Sequence, residues 1–135
     1  MWTYATCCMS QPSDRSPIEL HLFSPYASKE VVELLVVTAH YHRTAISLNL
    51  WHTVNFGRPW LDASSCNHGL VSLPYLDGPV LEDLREDSAL IKFYWLIPVT
   101  ASEVRFKCEE GVQALEQRLE GTNFNYLDPQ RESVA

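Results

Sequence analysis

Three of the five histidines lie close together in the segment 38–54, as His40, His42 and His52. Imidazole is the commonest metal ligand in proteins, and a His-X-His pair followed by a third histidine is a familiar metal-binding pattern. On a strand, His40 and His42 would face the same side and could share one ion, whereas on a helix they lie about 200° apart. Whether this segment can hold a metal therefore depends on its secondary structure.

The segment 28–48 has the pattern of a long helix. Ser28 suits the N-cap, because its hydroxyl can accept a hydrogen bond from a free backbone N–H in the first turn. Positions suited to burial recur on one arc at helical spacing: Val31, Leu34, Leu35, Thr38, Ala45 and Ile46. Three further valines widen this arc and predict a helix buried over much of its surface: Val32, Val36 and Val37.

On this helix, His40 and His42 lie on different sides. His42 joins the apolar arc, which predicts a buried, hydrogen-bonded neutral imidazole, whereas His40 lies on the opposite, polar side near Glu33. Helical metal pairs use i, i+4 spacing, so we expect no shared ion and no cofactor. A small metal-dependent enzyme that uses His40, His42, His52 or His68 is the alternative.

The composition restricts the kinds of partner. The chain has 17 acidic and 10 basic residues, and its formal net charge of -7 repels nucleic-acid phosphates and anionic membranes. Its apolar runs fall short of the roughly 20 residues that span a bilayer, and its start lacks the cationic opening of a signal peptide. We therefore expect one cytoplasmic domain over residues 1–135 that binds neither nucleic acid nor membrane.

The four cysteines are Cys7, Cys8, Cys66 and Cys108, and none belongs to a C-x-x-C pair. A zinc-ribbon spacing is therefore absent. In a chain of this size without an export signal, the pattern predicts reduced and mostly buried thiols.

Five segments have the composition or alternation of β-strands, which indicates a sheet. They are residues 2–8, 18–24, 51–60, 70–79 and 89–98. Residues 18–24 alternate between apolar and polar side chains, which predicts a half-buried strand with His21 on its wetter side. Residues 89–98 form the most apolar run, which predicts a central strand.

The rest of the chain predicts helices that pack on this sheet. Thr100 and Glu103 match a capping box that opens a second helix to about residue 120, and the tail 121–135 keeps apolar residues that pack back on the body. Residues 80–87 form at most a short helix. The order predicts an α+β or mixed α/β fold, with a single mixed sheet flanked by helices.

The aromatic stretch 51–60 is the candidate binding surface. It combines aromatic side chains with Arg58 and few negative charges, and such residues supply most binding hot spots. With the strand edge near 70–75, it would form a groove for a protein or an extended peptide. The candidate partner-binding residues are Trp51, Phe56, Arg58, Trp60, Tyr75 and Asp77. A self-associating structural domain is the other alternative.

Six segments, in order and at matching spacing, resemble the suppressor-of-fused-like domain family in its bacterial form: WTYATCCMS, HTVNFGRPW, LVSLPYLDGP, FYWLIPVTASE, GVQALEQRLE and NYLDPQRESV. The resemblance covers residues 2–134. It implies a compact α/β domain, no catalytic residues and no cofactor. Animal members of the family regulate Hedgehog signalling by clamping an extended segment of a transcription factor, which adds a strand to their sheet. Some bacterial members lie in toxin–immunity gene neighbourhoods and are proposed to neutralise a toxin by binding it.

The resemblance therefore implies a non-enzymatic interaction domain that binds a protein or peptide, with a toxin as one class of partner. The chain departs from the family pattern in two places. Family members usually have further elements before the WTYAT strand, which predicts an N-terminally truncated domain. Bacterial relatives tend to carry glycine where this chain has Cys8, so Cys8 would be strained if the position requires a positive φ.

Overall fold

The longest strand lies in the middle of a six-stranded sheet. The computed structural model describes residues 1–87 and 89–135. Its strands are β1 Trp2–Ala5, β2 Ile18–Ser24, β3 Thr53–Asn55, β4 Cys66–Ser72, β5 Asp83–Glu86 and β6 Ala89–Thr100. Its helices are α1 Lys29–Thr44, α2 Ala101–Glu110 and α3 Val112–Gly121, with a 3₁₀ turn at Pro79–Leu81.

Strand β6 connects the two halves of this sheet. The strand order is β1-β2-β6-β4-β3, with β5 paired to the first residues of β6. Strand β2 runs parallel to β6, and β4 and β5 run antiparallel to it. The predicted mixed sheet and its central strand are therefore confirmed.

Helices cover both faces of the sheet. Ile18, Leu20 and Leu22 of β2 pack in the cluster beneath α1, whereas Phe23 packs on the other face with Trp95, α3 and the tail. The prediction that β2 is half-buried, with His21 on a wet side, is wrong, because all seven residues of β2 are buried. The tail covers the second face, where the ring of Tyr126 lies against Phe23.

Helix α1 begins as predicted and ends earlier. The Ser28 side chain accepts the N–H of Val31 at the N-cap. The helix stops at Thr44 rather than near residue 48, because the Nδ1 atom of buried His42 accepts the Leu48 N–H at 2.8 Å and turns the chain back over the helix end. This bond confirms His42 as a hydrogen-bonded core residue, and burial lowers the pKa of its imidazole.

The second predicted helix is divided in two. Both hydrogen bonds of the Thr100–Glu103 capping box form, which confirms its start. Gly111 then adopts a φ of 93°, a backbone conformation that favours glycine and ends α2 before α3 begins. Residues 80–87 were expected to be a short helix at most, and the structure instead places a 3₁₀ turn and strand β5 there.

The prediction of mostly buried thiols is wrong. Cys66 alone among the four is buried, in strand β4, and Cys108 is exposed on α2. Cys7 and Cys8 lie exposed in the loop after β1, and Cys8 has a φ of 67°. The left-handed conformation considered for Cys8 on family grounds is therefore present.

A buried ion pair attaches the C-terminal tail to the sheet. Arg131 donates two hydrogen bonds to the Glu103 carboxylate, at 2.7 and 2.8 Å, and a third to the carbonyl of Pro98 at 3.1 Å. Glu103 also accepts the backbone N–H groups of Thr100 and Val134. Burial alone would raise the pKa of Glu103, but the hydrogen bonds and charge of Arg131 hold that pKa below its ordinary value.

We expect Arg131→Met to lower the free energy of unfolding by about 3–5 kcal/mol, because it leaves a buried carboxylate without its cation. Adding Glu103→Gln, which keeps the capping box, should restore part of this loss. Because the pKa of Glu103 is lowered in the folded state, the pair's contribution is full above about pH 4.3, the unfolded value, and is lost as pH falls through the folded pKa. Urea unfolding at several pH values measures both effects, and Arg105→Met on the exposed side of α2 is the control.

We expect Cys8→Gly to raise the free energy of unfolding by about 0.5–1 kcal/mol, since glycine adopts a positive φ without the clash of a Cβ atom. Cys7→Gly, one residue earlier in the same exposed loop, should lower it or leave it unchanged. Chemical denaturation of the two variants under reducing conditions measures the difference. Equal effects would contradict the left-handed conformation.

Candidate functional site

The outer surface of α1 is apolar and exposed. Val32, Val36 and Val37 are 46%, 63% and 61% exposed, although the sequence predicted that they extend the buried arc. That prediction is wrong, because the sheet contacts one side of the helix only and no element of residues 1–87 or 89–135 covers the other. We call these three valines the α1 face. Valine is a weaker helix former than alanine, so exposed valines contribute little to folding here.

A cavity of about 330 Å³ lies between α1 and the loop that follows β1. Its apolar lining includes Tyr4, Met9, Val32, Leu35 and Val36. Strand β1 ends the sheet, so one of its edges is paired with β2 and the other is open. The cavity, the α1 face and an open strand edge therefore adjoin one another.

Two of the residues predicted to bind a partner lie on the side of α1 that faces away from this cavity. Phe56 and Arg58 line a smaller cavity of about 80 Å³ with Val37 and Tyr41. The Arg58 guanidinium donates to the carbonyl of Glu30 at 3.1 Å and lies 3.5 Å from a carboxylate oxygen of Glu33. These contacts hold the loop after β3 against the helix, so Phe56 and Arg58 extend the apolar surface of α1.

The two tryptophans of the stretch 51–60 are placed differently. Trp60 is 1% exposed in the cluster beneath α1, so it supports the core and cannot reach a partner without leaving it. Trp51 is half-buried with a φ of 70°, and its backbone N–H donates to the carbonyl of Val71. The Trp60 side chain in the core and the backbone of Trp51 anchor the two ends of the segment that carries Phe56 and Arg58.

The strand edge near 70–75 is already occupied, contrary to the sequence-based expectation. Strand β4 pairs with β6 on one side and with β3 on the other. Beyond β3, Val71 exchanges backbone hydrogen bonds with Trp51 and His52. Among the described residues, the ends of the main strand order are β1, which lies beside Val32 and Val36, and β3, which lies beside Val37.

Tyr75 and Asp77 lie on the other side of the sheet. The Tyr75 hydroxyl donates to Glu116 of α3 at 2.8 Å, and burial together with this carboxylate raises the pKa of Tyr75 to about 12. An oxygen of Asp77 lies 3.4 Å from Nε2 of His21, whose pKa is lowered by burial although Asp77 opposes the shift. These two residues border a second exposed apolar corner, formed by Leu76, Val80 and Leu81.

The histidines do not assemble into one site. His40 is exposed on α1 while His42 is buried, as the helical spacing predicted. His52 accepts the Asn49 N–H through Nδ1, and His68 lies on β4. Among residues 1–87 and 89–135, no three histidine, cysteine or carboxylate side chains come together closely enough to hold a metal ion. Over the same residues, no helix has the length and apolar character needed to cross a bilayer.

The comparisons with known proteins agree with the resemblance. The family model for Suppressor of fused protein (SUFU) matches residues 1–132. The chain is similar to a crystal structure of a SUFU homolog from Neisseria gonorrhoeae FA 1090, with a TM-score of 0.85 and 32% identity over 99% of this chain and 70% of that one. No curated protein matches the sequence.

Two more distant structures share the fold. The chain is similar to Drosophila Suppressor of Fused, with a TM-score of 0.74 and 14% identity over 98% of this chain and 38% of that one. It is also similar to a chain of a Sufu–Fu complex, with a TM-score of 0.73 and 14% identity over 98% of this chain and 69% of that one.

We expect alanine at Val36 and Val37 to raise the free energy of unfolding by about 0.5 kcal/mol each, because both side chains are exposed and alanine is the better helix former. Val31→Ala, on the buried side of the same helix, should lower it by about 2 kcal/mol through the cavity it leaves. Thermal and urea unfolding of the three variants measure these changes. A loss at Val36 as large as that at Val31 would show that the α1 face packs against something in the folded chain.

Proposed function

Because the chain belongs to the suppressor of fused family, we propose that it is a non-enzymatic domain that binds a protein partner. The observation that supports this function is the α1 face: three valines exposed on one helix, of which Val32 and Val36 border an open cavity next to an open strand edge. Large exposed apolar patches on a folded domain mark interaction surfaces. We assign the contact surface to the α1 face, the outer edge of β1, Phe56 and Arg58.

The border residues suit a binding role. Arginine and aromatic side chains are enriched at binding hot spots, and Arg58 is held in place by its contacts to Glu30 and Glu33 before any partner arrives. A side chain that is ordered in advance loses less conformational entropy on binding. Trp51 and Trp60 contribute indirectly by supporting this loop, while Tyr75 and Asp77 belong to the corner beside α3.

An extended segment of the partner fits the β1 edge. A strand added there would pair with the open backbone groups of residues 2–5, and alternate side chains would lie over the cavity lined by Tyr4 and Val36. The net charge of -7 favours a basic partner, since long-range attraction increases the association rate. Some bacterial members of the family are proposed to neutralise a toxin by binding it. A toxin is therefore one class of partner for this chain.

The second candidate is self-association through the same edge. Open strand edges pair readily with identical edges of another copy, and the β1 edge adjoins an apolar surface that a second chain could cover. Sedimentation velocity over a range of concentrations tests this candidate. A dimer that dissociates in Val36→Asp but persists in Val80→Asp would support it.

We expect Val32→Asp and Val36→Asp to weaken partner binding at least tenfold, because each places a charge on the apolar contact surface. Val80→Asp is the matched control, since Val80 is 85% exposed at the corner on the other side of the sheet. Proteins recovered by affinity purification with the wild-type chain and the three variants identify the partner, and calorimetry with that purified partner gives the affinities. Unchanged affinity in Val36→Asp with a loss in Val80→Asp would move the contact surface to the corner.

A further inference from the structure

The adjacent thiols of Cys7 and Cys8 form a pair on the surface. Their sulfur atoms lie 3.7 Å apart, and both residues are exposed. We propose that this pair is a dithiol site for trivalent arsenicals that carry one apolar organic substituent. The site shares its cavity with the contact surface proposed above, but the arsenical chemistry of the two thiols does not depend on that protein-binding role.

The sulfur separation fits a bridge of one atom. Two bonds of about 2.3 Å, the length of a zinc–thiolate bond, that meet at about 100°, as at a pyramidal trivalent atom, span about 3.5 Å between sulfurs. A direct disulfide fits less well, because adjacent Cα atoms are about 3.8 Å apart and disulfides usually need about 4.4–6.8 Å. The observed 3.7 Å is close enough for a single bridging atom after a small movement of the two thiols.

One buried carboxylate holds the loop on both sides of the thiols. Glu19 accepts the hydroxyl of Thr6 before the pair and the backbone N–H groups of Met9 and Ser10 after it. The Ser10 hydroxyl donates to the same carboxylate at 2.8 Å. The two thiols thus project from a loop whose ends are fixed, so the backbone positions of both cysteines are set before a ligand binds.

The cavity beside the pair can hold an organic substituent. Both cysteines line the cavity of about 330 Å³ whose apolar wall includes Tyr4, Met9 and Val36. Benzene binds in apolar cavities of about 150 Å³, so a phenyl ring fits here. An arsenic atom bridging the sulfurs at the rim can direct its substituent into this space.

The reaction balances without an oxidant. An arsenical R–As=O and two cysteine thiols give R–As(S–Cys)₂ and water. Two As–S bonds form, the As=O bond and two S–H bonds break, and both thiol protons leave with the oxygen. Arsenic stays trivalent. The hydrogen bond to Cys8 and the charges of Cys8 and nearby carboxylates raise the pKa of Cys7, so this thiol attacks after losing its proton to water, and that proton ends in the water released. A metal cation would need further ligands, and the described residues offer no group of three.

The test uses phenylarsine oxide and the full chain under reducing conditions that spare the arsenical. We expect one adduct by native mass spectrometry, with the mass of the arsenical less one water, reversed by 1,2-ethanedithiol. Cys7→Ser and Cys8→Gly should each lower the affinity at least a hundredfold, whereas Cys108→Ser should bind as the wild type does. Because Cys8→Gly is expected to be more stable than the wild type, its loss of binding would not reflect unfolding.

An adduct that persists in Cys7→Ser, or that disappears in Cys108→Ser, would overturn the site. The role of the cavity is tested by comparing phenyl with methyl arsine oxide. We expect the wild type to prefer the phenyl compound, and Val36→Ser to reduce that preference several-fold while Val80→Ser leaves it unchanged. Equal preference in all three proteins would overturn the assignment of the substituent to the cavity.

Discussion

The carboxylate of Glu103 links two parts of the molecule that the sequence keeps apart, the junction of β6 with α2 and the C-terminal tail. It caps α2 through Thr100 at the end of β6, it receives two hydrogen bonds from Arg131, and it accepts the N–H of Val134. The tail is thereby attached to the first turn of α2 and, through the carbonyl of Pro98, to the end of the central strand. Because Phe124 and Tyr126 of the tail then contact Trp95, this polar cluster decides how the second face of the sheet is covered.

The two faces of the sheet are covered by different elements. Two helices and the tail cover the face that carries Trp95, whereas α1 covers the other with its buried side and presents valines outward. The open edge of β1 and the loop held by Glu19 lie beside that helix. Both proposed sites therefore occur on the side of the domain where the secondary structure leaves apolar groups uncovered.

Local patterns in the sequence were sufficient to predict much of the fold. The alternation of residues 18–24, the capping box at Thr100 and the apolar run of β6 are local signals, and each element formed where predicted. The separation of His40 from His42 follows from helical geometry in the same way. These features depend on neighbouring residues, which a single sequence contains.

Long-range contacts could not be read from the same patterns. Nothing local indicates that Arg131 pairs with Glu103, that Trp60 is enclosed in the core, or that Asp77 lies against a buried His21. The same limit applies to the proposed contact surface. The sequence singled out Phe56 and Arg58, which border the α1 face. It placed the three valines in the buried arc, because periodicity does not show how much of a helix the sheet covers. Gly111 carried a signal that was missed, since glycine inside a helical pattern can mark a break.

The order of the strands has a consequence for synthesis of the chain. Strand β6 is last in sequence and central in space, so the pair β1–β2 and the pair β3–β4 have no shared neighbour until residues 89–100 are made. Until then α1 has only half a sheet to pack on. Productive folding on the ribosome must therefore wait for nearly three quarters of the chain, and the nascent domain exposes two unfinished sheets in the meantime.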